Sequence, residues 1–139
     1  MLRHLGVTDV DRRAAVVAHL DFEGLQLLQE KDFECAVDSF SEAIELDPLQ
    51  SGLYVHRAVC WTALGSIEKA LRDTEAALET GARSGDLFVL RSKLFGTLGN
   101  VEKSDTEMQL AAAIAPAHPE VALFQVSHDL FFEILYCQY

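Results

Sequence analysis

The sequence predicts an all-α chain made of stacked helix pairs, and three observations carry that expectation. Slid against itself, the 139-residue sequence matches at steps of 34, a period typical of stacked supersecondary units. Within each copy, apolar residues recur at spacings of three and four, the signature of an amphipathic helix. Glycines and prolines punctuate the copies at matching places, where helices would stop.

The pattern places helices over 9–30, 33–46, 51–64, 67–81, 85–98, 101–114 and 119–137. Thr8 stands where it can cap the first, with Asp11 three residues on as an approximate capping box. Steps of 34 carry Leu20 to Tyr54 and Phe88, Leu27 to Trp61 and Phe95, and Phe33 to Ile67 and Val101, a large apolar residue each time. Small residues recur as well: Gly24, Ala58 and Ser92; Ala36, Ala70 and Ser104; Ala43, Ala77 and Ala111. Two antiparallel helices approach closely only where one side chain is nearly absent and large neighbours fill the gap. The alternation of size therefore predicts how each pair locks. Gly65 and Gly99, after Leu64 and Leu98, stand where a left-handed residue would close the first helix of a pair. Pro48, Ala82 and Pro116 are in register, and the two prolines fall just past second helices that they cannot continue.

Half the residues are hydrophobic and 24% are charged, the composition of a folded domain. At this length about two thirds of the unfolded chain's surface can be buried. Eleven Lys and Arg against 22 Asp and Glu give a formal charge of −11. With no run of Lys or Arg, nucleic acid and anionic membrane surfaces are disfavoured as partners. No apolar stretch approaches the roughly 20 residues of a membrane span. Arg3 and His4 precede no apolar block, and Asp9 and Asp11 count against a mitochondrial presequence, so the expectation is a cytoplasmic protein without a signal peptide or transmembrane segment. Cys35, Cys60 and Cys137 are odd in number and far apart, which indicates neither a disulfide framework nor a zinc site. Without basic neighbours they read as small core residues. There is no phosphate loop, nucleophile elbow or HExxH, and the five histidines lie on different segments. The expectation is a non-enzymatic protein with no catalytic residue, metal or cofactor.

These residues resemble the tetratricopeptide-repeat family. Gly24, Ala36, Phe40, Ala43 and Pro48 look like a near-complete repeat, and Tyr54, Ala58, Trp61, Gly65, Ala70 and Ala77 look like a second. The third copy is more degenerate, with Ser92 and Ser104 in place of the usual glycine and alanine and Met108 where an aromatic is common. The resemblance implies a right-handed α-solenoid as a single domain over 1–139. It would comprise an N-terminal extension 1–16, repeats over about 17–50, 51–84 and 85–118, and a hydrophobic C-terminal capping helix 119–139.

The resemblance also implies that the concave face, formed mainly by the first helices, binds a protein or peptide. Once the locking positions are removed, the residues left to line it are Asp21, Phe22, Leu25 and Gln29; Val55, His56, Val59 and Thr62; and Asp86, Val89, Leu90 and Lys93. One subclass of the family holds the acidic C-terminal tails of chaperones in a clamp of Lys, Asn and Arg, because charge-assisted bonds to a free carboxylate need such groups. The corresponding positions hold Asp21, Leu25, His56, Asp86 and Leu90, so acidic chaperone tails are unlikely partners and an apolar or basic amphipathic segment fits better. Alternatively, the protein's own N-terminal arm covers these apolar residues, or they lie deeper in the packing.

The last helix is apolar almost all round, and no Lys or Arg follows Lys103. At 100° per residue Phe124, Phe131 and Leu135 share one side, with Phe132 and Tyr136 displaced by about a quarter turn. Such a helix predicts an interface for a homodimer or hetero-complex, the alternative being self-capping within a compact monomer. It also supports a second reading, a structural subunit held in a larger assembly through this helix.

Overall fold

The computed structural model describes residues 8–136, with side chains as far as Ser127 and at Asp129. Among these described residues seven helices follow one another: α1 (Asp9–Gln29), α2 (Phe33–Leu46), α3 (Ser51–Ala63), α4 (Ile67–Glu79), α5 (Gly85–Thr97), α6 (Val101–Ile114) and α7 (Pro119–Tyr136). No strand occurs among the described residues. The chain divides into two compact units, with the boundary between Ala82 and Arg83. In the first, α1 pairs with α2 and α3 with α4, while α2 also packs on α3. In the second, α5 pairs with α6, and α7 rests on α6.

The helix ends follow from the repeat. Thr8 accepts a bond from the Asp11 N–H while the Asp11 carboxylate accepts from Thr8, the reciprocal box foreseen in the sequence. These bonds hold the exposed Asp11 carboxyl below its ordinary value. The first helix of each pair then closes on a left-handed residue at the same register: Lys31 (φ 63°), Gly65 (79°) and Gly99 (78°). In each, two backbone bonds reach back over the last turn, as from Asp32 N–H to the Leu27 carbonyl (2.9 Å) and from Lys31 N–H to Leu28 (3.1 Å). One residue further on, Asp32 and Asn100 cap the second helices, accepting from the N–H groups of Cys35 and Lys103.

The lock between paired helices is most visible at Gly24. A methyl placed there would lie 2.6 Å from Phe40 Cε1, and Phe40 is fully buried, so only glycine lets α1 and α2 meet. Val17, Val37, Phe40, Ala43, Leu53 and Cys60 form the core of this unit, with Leu25, Leu27, Phe33 and Trp61 packed against it. In the second unit the small pair is Ser92 and Ser104. Each hydroxyl donates to the other's backbone carbonyl, at 2.8 and 2.9 Å, which satisfies the buried Ser92 hydroxyl and the half-buried Ser104 hydroxyl together.

Candidate functional site

In the first unit the exposed sides of α1 and α3 are tied together by Asp21 and His56, with His56 Nδ1 2.9 Å from Asp21 Oδ1. An ionised carboxylate has no proton to give, so the ring N–H donates. The His56 ring also packs against Phe40, at 5.5 Å between centroids. Next along α1, Phe22 is 59% exposed. Leu25 and Val55 are half-buried, Leu25 resting on the core, and Val59 is 37% exposed. A cleft of about 300 Å³ opens here, with Ala14, Ala18, Phe22 and Leu25 as its apolar lining and Asp21, Asp47 and Gln50 as its polar groups. The structure thus gathers Asp21, Phe22 and Leu25 around one opening, and His56 joins through Asp21.

In the second unit the charged candidates are also held internally. Asp86 accepts from His118 Nε2 at 2.8 Å, and Lys93 Nζ donates to Glu120 at 2.9 Å, so two bonds tie α5 to the start of α7. His118 Nδ1 accepts from the Glu120 N–H, which places the proton of the neutral ring on Nε2, facing Asp86. The hydrogen bond and charge of Lys93 hold the Glu120 carboxyl below its ordinary value. Leu90 is half-buried. Val89 corrects the sequence expectation: it is only 4% exposed and belongs to the packing. The reason is that α5 is buried on more than one side, with Leu87, Phe88, Leu94 and Phe95 inside as well. The repeat register therefore does not identify its open face.

On α7, Phe124 is half-buried, Val121 is fully buried, and Leu123 and Val126 are 66% and 57% exposed. The side chains of Phe131, Phe132, Leu135 and Tyr136 lie outside the described residues. Cys60 is buried, and burial pushes its thiol up to about 11. Cys35 is exposed, contrary to the core role expected for it, because it lies on the outer face of α2 among Asp32, Glu34 and Asp38. Its bond to Asp32 and the surrounding carboxylates raise its pKa.

Two further ion pairs were not anticipated. Arg57 grips Asp73 with two bonds of 2.7 Å and also donates to Ser41, and Arg91 pairs with Glu107 at 3.1 Å. The bond to Asp73 raises the Arg57 pKa further. The signal was in the sequence, since each partner of the second pair lies one period beyond its counterpart in the first.

No family model matches the chain. It is 28% identical over 103 residues, 71% of its length, to the DnaJ homolog subfamily C member 7 homolog of Dictyostelium discoideum, and 26% identical over 115 residues, 83% of its length, to human sperm-associated antigen 1. The chain spans 19% and 12% of the lengths of these relatives. Among solved structures it superposes on the TPR domain of Arabidopsis OM64 with a TM-score of 0.78 and 16% identity, covering 83% of this chain and 95% of that one. The chain has the tetratricopeptide-repeat (TPR) fold. Two TPR structures of similar likeness hold peptides. One is the second TPR domain of human RPAP3 in complex with the HSP70 peptide SGPTIEEVD (TM-score 0.75, 16% identity, 80% of this chain and 92% of that one). The other is the Yersinia enterocolitica secretion chaperone SycD in complex with a peptide of the translocator YopD (TM-score 0.70, 15% identity, 87% and 92%). The first helices of this TPR chain are therefore α1, α3 and α5, and each charged side chain foreseen on their open faces is bound to a partner within its own unit.

Proposed function

We propose that this chain is a non-enzymatic protein-interaction module, working in the cytoplasm, whose first-helix face in the first unit takes an apolar or basic amphipathic segment of a partner protein. One observation carries the reading. Asp21 is already paired with His56, whereas Phe22, at 59% exposure, and Leu25 are left lining an open cleft beside Asp21 and Asp47. An apolar anchor entering the cleft gains about 1.5–3 kcal/mol on burial, and the carboxylates favour a cation beside it. The peptide complexes of RPAP3 and SycD support a peptide partner as a class. The acidic HSP70 peptide bound by RPAP3 does not suit this cleft, whose charged lining is Asp21 and Asp47.

Isothermal titration tests this with a designed helical peptide carrying leucines at helical spacing and lysines between them, and with SGPTIEEVD. The leucine–lysine peptide should bind, and Phe22→Asp should weaken it at least tenfold with an unchanged helical spectrum. Binding of SGPTIEEVD that Phe22→Asp weakens, or equal affinity of the leucine–lysine peptide for the Phe22→Asp variant, defeats the proposal.

A second reading, a structural subunit held through its last helix, draws on the exposure of Leu123 and Val126 on α7 and of Leu110 and Ile114 on α6, at 43% and 45%. Light scattering separates the two, since a monomer supports the exchangeable module and a stable dimer the subunit.

A further inference from the structure

The side of α3 opposite the Val55, His56 and Val59 face carries a different chemistry. At 100° per residue Arg57 and Trp61 lie nearly half a turn from the middle of that face. The α3–α4 hairpin brings Lys69 and Arg72 to the same side, and with Asp73 these residues line a cleft of about 310 Å³. An adjoining cleft of about 390 Å³ shares Lys69 and Arg72 and is bordered by Glu68. In a chain with twice as many acids as bases, three of the eleven cations thus converge on one opening. No run in the sequence announced this cluster.

The charges there are not equivalent. Arg57 and Asp73 neutralise one another through their two short bonds, and the pair forms a fixed wall. Lys69 and Arg72 are exposed, and Lys69 Nζ sits 4.5 Å from the centre of the half-buried Trp61 ring. One period earlier, the positions of Trp61, Lys69 and Arg72 hold Leu27, Cys35 and Asp38, so the first repeat does not carry this combination of an indole and two cations. Its second helix instead exposes Glu34, Asp38, Glu42 and Glu45 and carries no cation.

We propose that the Trp61–Lys69–Arg72 cleft is a second docking surface and that it takes an acidic linear segment of another protein. An Asp or Glu carboxylate of that segment would lie between Lys69 and Arg72, with a neighbouring apolar side chain against Trp61. The net charge of −11 does not prevent this. Exposed charges are screened beyond about 8 Å at physiological ionic strength, so the local cations decide the interaction at contact, and arginine binds carboxylates through paired donors. The surface is independent of the α1 cleft and would let one chain hold a basic and an acidic partner together.

Trp61 is the only tryptophan, so its fluorescence reports on this cleft directly. The full chain is titrated with the blocked peptides acetyl-Glu-Glu-Leu-Glu-Glu-amide and acetyl-Lys-Lys-Leu-Lys-Lys-amide. The acidic peptide should give a saturable change that weakens as salt is raised, and the Lys69→Glu, Arg72→Glu double variant should lower its affinity at least tenfold. Lys103→Glu, a charge change of the same kind in the second unit, should leave the affinity within twofold. No saturable response, equal affinity for the double variant, an equal loss with Lys103→Glu, or a Trp61 response to the lysine peptide that the double variant weakens to the same extent would each overturn the proposal.

Discussion

Gly24→Ala places a methyl where Phe40 Cε1, Cζ and Cδ1 already lie at 2.6, 2.7 and 2.9 Å. Carbon atoms in contact prefer 3.5–4.0 Å, and Phe40 is fully buried within the core of the first unit, so its ring has nowhere to withdraw. Overpacking of this kind costs about 1–3 kcal/mol. The better helix propensity of alanine offsets about 1 kcal/mol of that, leaving a net loss of up to about 2 kcal/mol. The repeats themselves suggest the remedy. One and two periods on, the small residue grows to Ala58 and Ser92 while the position of Phe40 passes to Thr74 and Met108. Phe40→Leu should therefore relieve the clash, and the Gly24→Ala, Phe40→Leu double variant should be more stable than the sum of its singles by at least about 1 kcal/mol. Urea unfolding followed by Trp61 fluorescence measures this, since Trp61 packs against the same core. If the two changes add within about 0.5 kcal/mol, the methyl does not meet the ring and the account of the lock fails.

Lys31 is a non-glycine residue in left-handed backbone at a position where the other two repeats use glycine. That conformation costs an L-residue about 1–2 kcal/mol, partly offset by the greater freedom of an unfolded glycine. Lys31→Gly should thus stabilise the first unit by about 0.5–1 kcal/mol in the same urea assay. Removing Arg57 leaves the Asp73 carboxylate, with 7% of its side chain exposed, buried and unpaired. Arg57→Met should cost about 3 kcal/mol, and adding Asp73→Leu should recover most of it, because an apolar pair can replace a buried ion pair. Glu120 has a carboxyl held below the usual value of 4.5, so its contribution is present above that pH and is lost as pH falls through the lower folded value. Thermal unfolding at a series of pH values should find Glu120→Gln less stable than the parent at pH 7 and equal to it in acid; a constant difference refutes the assignment.

The sequence made the helices legible because its punctuation is local. Gly65 and Gly99 close turns whose hydrogen bonds span a few residues, and Thr8 caps a helix three positions away. The lock was legible because size alternation at a fixed period leaves few ways to pair Gly24 with Phe40. The open faces were harder to read. Asp21 and His56 lie 35 residues apart, and Asp86 and His118 lie 32 apart, so neither pair falls on the 34-residue register. Side-chain reach, not periodicity, selects such partners. Val89 was misplaced for a related reason: when a helix is apolar on several sides, hydrophobic spacing no longer distinguishes inside from outside. Cys35 erred in the opposite direction, since a residue type that is usually buried was assigned to the core without regard to the four exposed carboxylates of its helix.

The same register explains why α7 differs from the helices before it. Val121 stands one period beyond Leu87 and two beyond Leu53, and all three are fully buried, so α7 keeps an inside position of a first helix. The positions that would receive a second helix have changed. Where the third repeat has Phe88, Ser92 and Phe95, all buried, α7 has Ala122, Val126 and Asp129, all exposed. The large, small, large sequence that draws two helices together is replaced by one with a branched side chain at its centre. At Gly24 even a single methyl meets a buried ring. A valine at the corresponding place would hold a partner helix of the repeat type further away still. The side chains of α7 thus retain one buried position of a repeat, at Val121, while those at the places that join paired helices in the third repeat are exposed.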